Sequence, residues 1–262
     1  MATPQIRSPS IGTGLMATIR VESADGGWTW LYRVAGVAAV ISLVLLPVAI
    51  VVYTFSPPPS SVVASFAQFQ TNRLVGLVDL DLVMLVDSVL MIPVFLALYV
   101  ALRRANESLM ALGTTLGLVG IAVYLTTNPC FSMLSLSDQY AAATTDAQRA
   151  MFLAAGQALL TTWTGTAFDV SYVLGGVAGL TIATVMLRST LFGKATAYVG
   201  IVLNALMLVP PTVGTIGLIL SFLSLVPLAI WYVLIARRLF QLGAISSHAN
   251  APGAATPPTS RG

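Results

Sequence analysis

The chain has 262 residues, is 57% hydrophobic and only 8% charged, and carries a formal net charge of +3. A soluble domain holds about 25% charged residues, so this composition lacks the material for a water-facing surface and assigns the chain to lipid. A single histidine and a single cysteine exclude bis-histidine haem, Cys/His zinc, iron–sulfur and CxxC redox sites, each of which needs several such ligands.

Residues 1–27 are rich in Ser, Thr, Gly and Pro without apolar periodicity and read as a disordered tail. A first membrane span is expected over about 33–54, entered through Trp28, Trp30 and Tyr32, and the turn-rich SPPPSS follows it. The second span is expected at 78–102 and the third at 108–127, ending before Asn128-Pro129. An outer connection, 128–165, contains TTDAQRAMFLAAGQALL, where Thr145 or Asp146 is placed to cap a short helix. A fourth span at 166–187, a short fifth at 195–210 stopping at Pro210-Pro211, and a sixth at 213–236 complete a bundle over 28–240. Residues 241–262 read as a second disordered tail. The expected fold is an all-α polytopic membrane bundle of about six transmembrane helices.

Arg20, Arg33, Arg103, Arg104, Arg188, Lys194, Arg237 and Arg238 fall on alternate connections and tails, whereas the opposite connections carry Arg73 and Arg149. The positive-inside bias therefore puts both termini in the cytoplasm of a multi-pass inner-membrane protein. On that frame Trp231 and Tyr232 mark the inner interface, and Tyr53 and Trp163 the outer one. The basic residues form no patch, so nucleic acid is not an expected partner; the lipid bilayer is, with a small solute or ion as a further one. In the fourth span Ala167, Ser171, Gly175, Gly179 and Ala183 recur every four residues, a strip that lets a neighbouring backbone approach closely.

The segment 74–104, LVGLVDLDLVMLVDSVLMIPVFLALYVALRR, carries Asp79, Asp81 and Asp87. Asp79 and Asp81 fall near the outer boundary, where water or headgroups would meet them. Asp87 lies about 24 Å along the helix from Arg103, within the outer half of the hydrocarbon. A charge there costs about 2.5–3.5 kcal/mol on insertion scales, so it should face the bundle. No cation is within reach along its helix, and the carboxyl is expected to be protonated or hydrogen-bonded to Ser, Thr or Tyr of neighbouring helices. Asp169 enters the fourth span from the same side, Tyr172 shares its face, and Asn204 sits in the middle of the fifth span. Asp87, Asp169, Tyr172 and Asn204 thus form a candidate polar or proton site, each also readable as interhelical hydrogen bonding.

The runs RVAGVAAVISLV, NRLVGLVDLDLVMLVDSVLMIPVFLALYVALRRANESLMALGTTLGLVGIAVY and LRSTLFGKATAYVGIVLNAL resemble a bacterial membrane family known as domain of unknown function 4386. Arg33, Ala35 and Gly36 match the start of its first helix, and Arg73, Asp79, Asp87, Tyr99 and Arg103 its second. Where members often carry an arginine early in helix three, this chain reads Gly113-Thr114-Thr115, which removes an obvious partner for Asp87. The resemblance implies a multi-helix inner-membrane protein with no known activity and no catalytic residue.

Three functions are consistent with these features. The first is a non-enzymatic bundle that binds or passes a small solute, ion or proton through an outward-facing polar pocket. The second is a structural or accessory membrane subunit without a ligand. The third is an intramembrane enzyme acting on lipid, which requires Asp87 and Asp169 to reach one substrate together. No metal or cofactor is expected for the first two.

Overall fold

Capping side chains fix where many of the helices begin. The computed structural model describes residues 26–56, 59 and 61–249; the expected disorder of 1–25 and 250–262 lies outside the described residues. After a short 3-10 turn at Gly26–Trp28 the chain enters α1 (Thr29–Phe55). Ser61 then caps α2 (Val62–Thr71), and Asn72 caps α3 (Arg73–Asp79), its side chain accepting from the amides of Leu74 and Val75. α4 runs Leu82–Leu102, and Asn106 caps α5 (Glu107–Thr127). Beyond Asn128-Pro129 come α6 (Cys130–Ala142) and α7 (Asp146–Trp163). Thr145 starts α7 with a capping box, exchanging hydrogen bonds with Gln148. The chain ends with α8 (Thr166–Arg188), α9 (Lys194–Leu206), a 3-10 turn at Pro211–Val213 and α10 (Thr215–Ala249). Among the described residues there is no strand.

Five helical stretches are long and apolar enough to cross a membrane, and α9 is a shorter apolar sixth. These six close into a ring in the order α1, α4, α5, α8, α9, α10 and back to α1. Ring neighbours run antiparallel. Gly36 at the start of α1 faces Phe240 near the end of α10, and Gly243 faces Arg33. Likewise Gly113 of α5 packs on Thr181 and Ile182 of α8, while Gly120 packs on Ser171 and Leu174. The bundle core includes Leu98, Leu102, Met110, Ile182, Met186 and Ile235, all at most 1% exposed.

The two connections at the far end, opposite Arg33 and Arg103, are not loops. Helices α2 and α3 join α1 to α4, helices α6 and α7 join α5 to α8, and the four pack into a cap over their own apolar core of Val62, Phe66, Phe69, Leu80, Cys130 and Met133. The expected single short helix in 128–165 is therefore two helices. The reason is that Cys130 and Met133, just beyond the expected end of the third span, are fully buried and supply the cap core.

Other boundaries move for similar physical reasons. The expected second span, 78–102, breaks at Leu80-Asp81, so Asp79 belongs to α3 rather than to the membrane helix. The expected C-terminal tail is helical through Ala249, because Leu239 and Leu242 continue the buried stripe of α10. The expected fifth span shortens to the 13 residues of α9, about 20 Å of helix and less than a hydrocarbon core of about 30 Å.

The C-terminal half of the small-residue strip of α8 is spent inside the bundle, whereas a Cβ on Gly175 would meet open space. A Cβ on Gly179 would lie 1.9 Å from Oδ1 of Asn204, and Ala183 meets Gly200, both on α9. Substituting Gly179→Ala is expected to cost about 1–3 kcal/mol by overpacking. The thermal midpoint in detergent should fall accordingly, and Gly179→Ala with Asn204→Ala should recover most of the loss.

Candidate functional site

The four residues singled out in the sequence do not form one cluster. Each has its own partner, and no hydrogen bond joins any two of them. Asp169, one turn into α8, accepts a hydrogen bond from the Thr212 hydroxyl in the turn before α10. Tyr172 shares a hydrogen bond of 3.0 Å with Ser221 of α10. Because α9 stops at Leu206, α8 reaches across to α10 directly at this end. Asn204, 8% exposed, donates to the Gly200 carbonyl of its own helix at 2.7 Å. Its side chain fills the space left by Gly179, so its placement is one of close packing.

Asp87 has a partner that sequence reasoning missed. The Tyr232 hydroxyl donates to its carboxylate oxygens at 3.1 and 3.2 Å, and Tyr232 is 4% exposed. The Ser42 hydroxyl neighbours both groups but makes no hydrogen bond of good geometry, although it is buried. Thus α4, α10 and α1 converge on one carboxyl group. Among the described residues Asp87 makes no ion pair.

Trp231 and Tyr232 are accordingly not an interfacial belt; both are buried in the bundle. Side chains lean toward the N-terminus of their helix, so Tyr232, on a helix descending to the arginine-rich end, reaches back toward the far end. Ser42 is nine residues from Arg33, about 14 Å of helix. That distance puts the Asp87 carboxyl nearer the middle of the bundle than a count along α4 alone suggests.

Asp79 and Asp81 depart most from expectation, for neither is simply in water. Asp81 is the one non-glycine residue with positive φ among the described residues (φ +67°, ψ +28°), a conformation that aspartate tolerates better than most. It ends the cap and opens α4. Its Oδ1 accepts from the Tyr53 hydroxyl at 2.7 Å and its Oδ2 from the Trp163 indole N–H at 3.0 Å. Tyr124, whose own hydroxyl accepts from Asn128 at 3.2 Å, stands beside the same carboxylate. One side chain therefore ties α1, α4, α5 and α7 together. Burial raises the Asp81 carboxyl above its ordinary value, against the opposing pull of the Tyr53, Trp163 and Tyr124 hydrogen bonds. Tyr53 and Trp163, expected to face the outer interface, turn inward because this acceptor draws them.

Asp79 is only 1% exposed. One of its oxygens accepts from Ser56, at the end of α1, at 3.2 Å and from Gln68 of α2. The other is buried with no partner. The signal for both acids was present in the chain as apolar residues on either side, but the run DLDLVM contains no Gly or Pro to announce a break.

Removing a donor from a buried acceptor costs about 1–3 kcal/mol. Tyr53→Phe and Trp163→Phe should each lower the thermal midpoint by that order, and the double variant should lose less than the sum, since both act on one carboxylate. Equal and fully additive losses would show that the two contacts are independent.

Among the described residues no group of three His, Cys, Asp or Glu side chains is arranged to hold a metal ion. Comparison with curated proteins gives no match, and comparison with solved structures gives none. The profile of one family, described as Domain of unknown function (DUF4386), matches residues 28–243, from the head of α1 to the last turns of α10. Cap and bundle both fall inside that match, which covers most of the sequence: the chain is a membrane protein of the DUF4386 family.

Proposed function

We propose that this protein is a non-enzymatic, multi-pass protein of the bacterial inner membrane that binds or passes a proton or small cation, with Asp87 as the acidic group that takes it up. The observation that carries the reading is the Asp87 carboxyl, deep in the bundle, held by Tyr232 beside Ser42 and, among the described residues, without an ion-pair partner. Ionisable groups at membrane depth that face the bundle interior commonly mark ion or proton pathways. A hydroxyl donor on a carboxylate is compatible with both the loaded and the unloaded state, because a tyrosine O–H can also accept.

The outward-facing side of the path is assigned to the polar pairs Asp169–Thr212 and Tyr172–Ser221, at the end where α9 is missing from the wall. The arginine distribution supports both termini at the cytoplasmic face, with the cap outside. Separate partners for Asp87 and Asp169 support the non-enzymatic reading, since joint acid–base work on one lipid needs both carboxyls on the same substrate. An accessory role without a ligand gains less support, as Gly179 and Ala183 of the small-residue strip are already engaged by α9 within the chain.

The test is proton uptake into vesicles containing the purified protein and a pH-sensitive dye, driven by a potassium diffusion potential. Asp87→Asn should reduce the protein-dependent flux at least tenfold with the thermal midpoint kept, and Tyr232→Phe should alter its pH dependence. Flux equal to wild type in Asp87→Asn, in a folded protein, sinks the proposal; lost stability with unchanged flux assigns Asp87 to packing.

A further inference from the structure

The far-end cap holds a second buried acid, remote in role from Asp87. Asp79 closes α3, is 1% exposed, and touches the end of α1 through Ser56 and the face of α2 through Gln68. Gln68 also donates to Ser56 at 2.9 Å, so the three side chains form a closed set. The groups around it offer no compensating charge. α2 has no titratable residue; α1 brings Tyr53, the head of α4 brings Asp81, and α6 carries Cys130, Asp138 and Tyr140. The cation of α3, Arg73, lies at the opposite end of that helix and is engaged with Asp138 at 3.0 Å on the surface. Asp81 differs in having a donor on each oxygen, whereas Oδ1 of Asp79 has none.

A buried carboxylate with one bare oxygen and no cation is a poor resting state, because an uncompensated charge in an apolar setting is neutralised more readily than it is tolerated. A carboxylic acid suits the same surroundings: the proton removes the charge, and the Ser56 hydroxyl can accept as well as donate. The geometry points to Asp79 as a proton-binding site of the cap, still loaded on the far side at acidities where an ordinary aspartate has already ionised and emptied as the pH rises further, with Gln68 and Ser56 setting the release point. Burial holds the Asp79 carboxyl above the usual carboxylate range, and the hydrogen bonds from Ser56 and Gln68 pull it part of the way back.

The direction of the coupling follows. Below the ordinary aspartate value of about 3.9 both the folded and the unfolded chain hold the proton, and the cap keeps its full stability. As pH rises through the folded-state value the proton leaves, a bare charge remains among Ser56, Gln68 and the cap core, and that stability is lost. The site thus links far-side acidity to how firmly α2 is held on the end of α1. It does not require Asp87 to carry a proton, and the two sites are separable by substitution.

The experiment is a pH titration of the full chain in detergent by infrared difference spectroscopy, following the carbonyl stretch of a protonated carboxylic acid. A titrating acid signal that is absent in Asp79→Asn and retained in Asp87→Asn is expected. Gln68→Leu removes a donor to the charged form, and should make the acid about tenfold weaker, an upward midpoint shift of about one unit. Amide hydrogen exchange in α2, corrected for its intrinsic pH dependence, should speed up as the pH rises through the midpoint of the acid signal in wild type and stay flat in Asp79→Asn. An acid signal unaffected by Asp79→Asn overturns the site. If Asp79→Asn fails to fold, Gln68→Leu decides alone: an upward midpoint supports the site, and an unchanged midpoint overturns it.

Discussion

Hydrocarbon offers a carboxyl group nothing to bond to, and this constraint organises the molecule. Water cannot be recruited cheaply, and the chain contains few cations away from its ends. Every inward-turned aspartate is therefore met by neutral donors: Tyr232 for Asp87, Tyr53 and Trp163 for Asp81, Ser56 and Gln68 for Asp79. Because each donor comes from a different helix, each acid also fixes the relative placement of the helices around it. The polar groups are few, and so each one holds a large share of the architecture.

Around those points the bundle closes by shape. Glycines on α5 and α8 let helices approach where no polar group draws them, and the side chain of Asn204 enters the notch left by Gly179. At the start of α10, a Cβ on Gly217 would lie 2.0 Å from the Pro210 carbonyl oxygen, so the tight return from α9 depends on a residue without a side chain. The cap adds large side chains to the same device, with Phe69 seated against Gly76 and with Val62 and Phe66 against Gly156, around an apolar centre. Bundle and cap meet along the Tyr53–Asp81–Trp163 contact, where the membrane helix α4 takes its direction from a left-handed residue.

Much of this was legible in the sequence, and the failures have physical causes. Long apolar runs with arginines at their ends identify the spans because helix length and bilayer thickness are matched quantities. Thr145 with Gln148 and the Asn128-Pro129 break carry local chemistry that can be read without tertiary context. The break at Asp81 could not be read that way, since left-handed aspartate is held by Tyr53 and Trp163, residues 28 and 82 positions distant. Tyr232 was misplaced for a related reason: a Trp-Tyr pair near an arginine looks interfacial until the length of α10 is known. The resemblance to the family rests on scattered polar marks, and two of these, the buried Asp79 and the half-buried Asp87, prove to be interhelical contact points.

The six helices of the ring differ greatly in height. α10 has 35 residues and rises about 52 Å, while its neighbour α9 has 13 and rises about 20 Å. Lipid on the two flanks of the same protein therefore meets walls of unequal stature, with α10 starting at the Pro210-Pro211 turn, where Gly217 packs on the Pro210 carbonyl, and carrying its extra length to the arginine-rich end. A bilayer resists such a step by fractions of a kcal/mol for each ångström of mismatch, so it thins beside α9 or leans the whole bundle. The membrane's own elasticity, as well as its contents, thus acts on how the molecule stands.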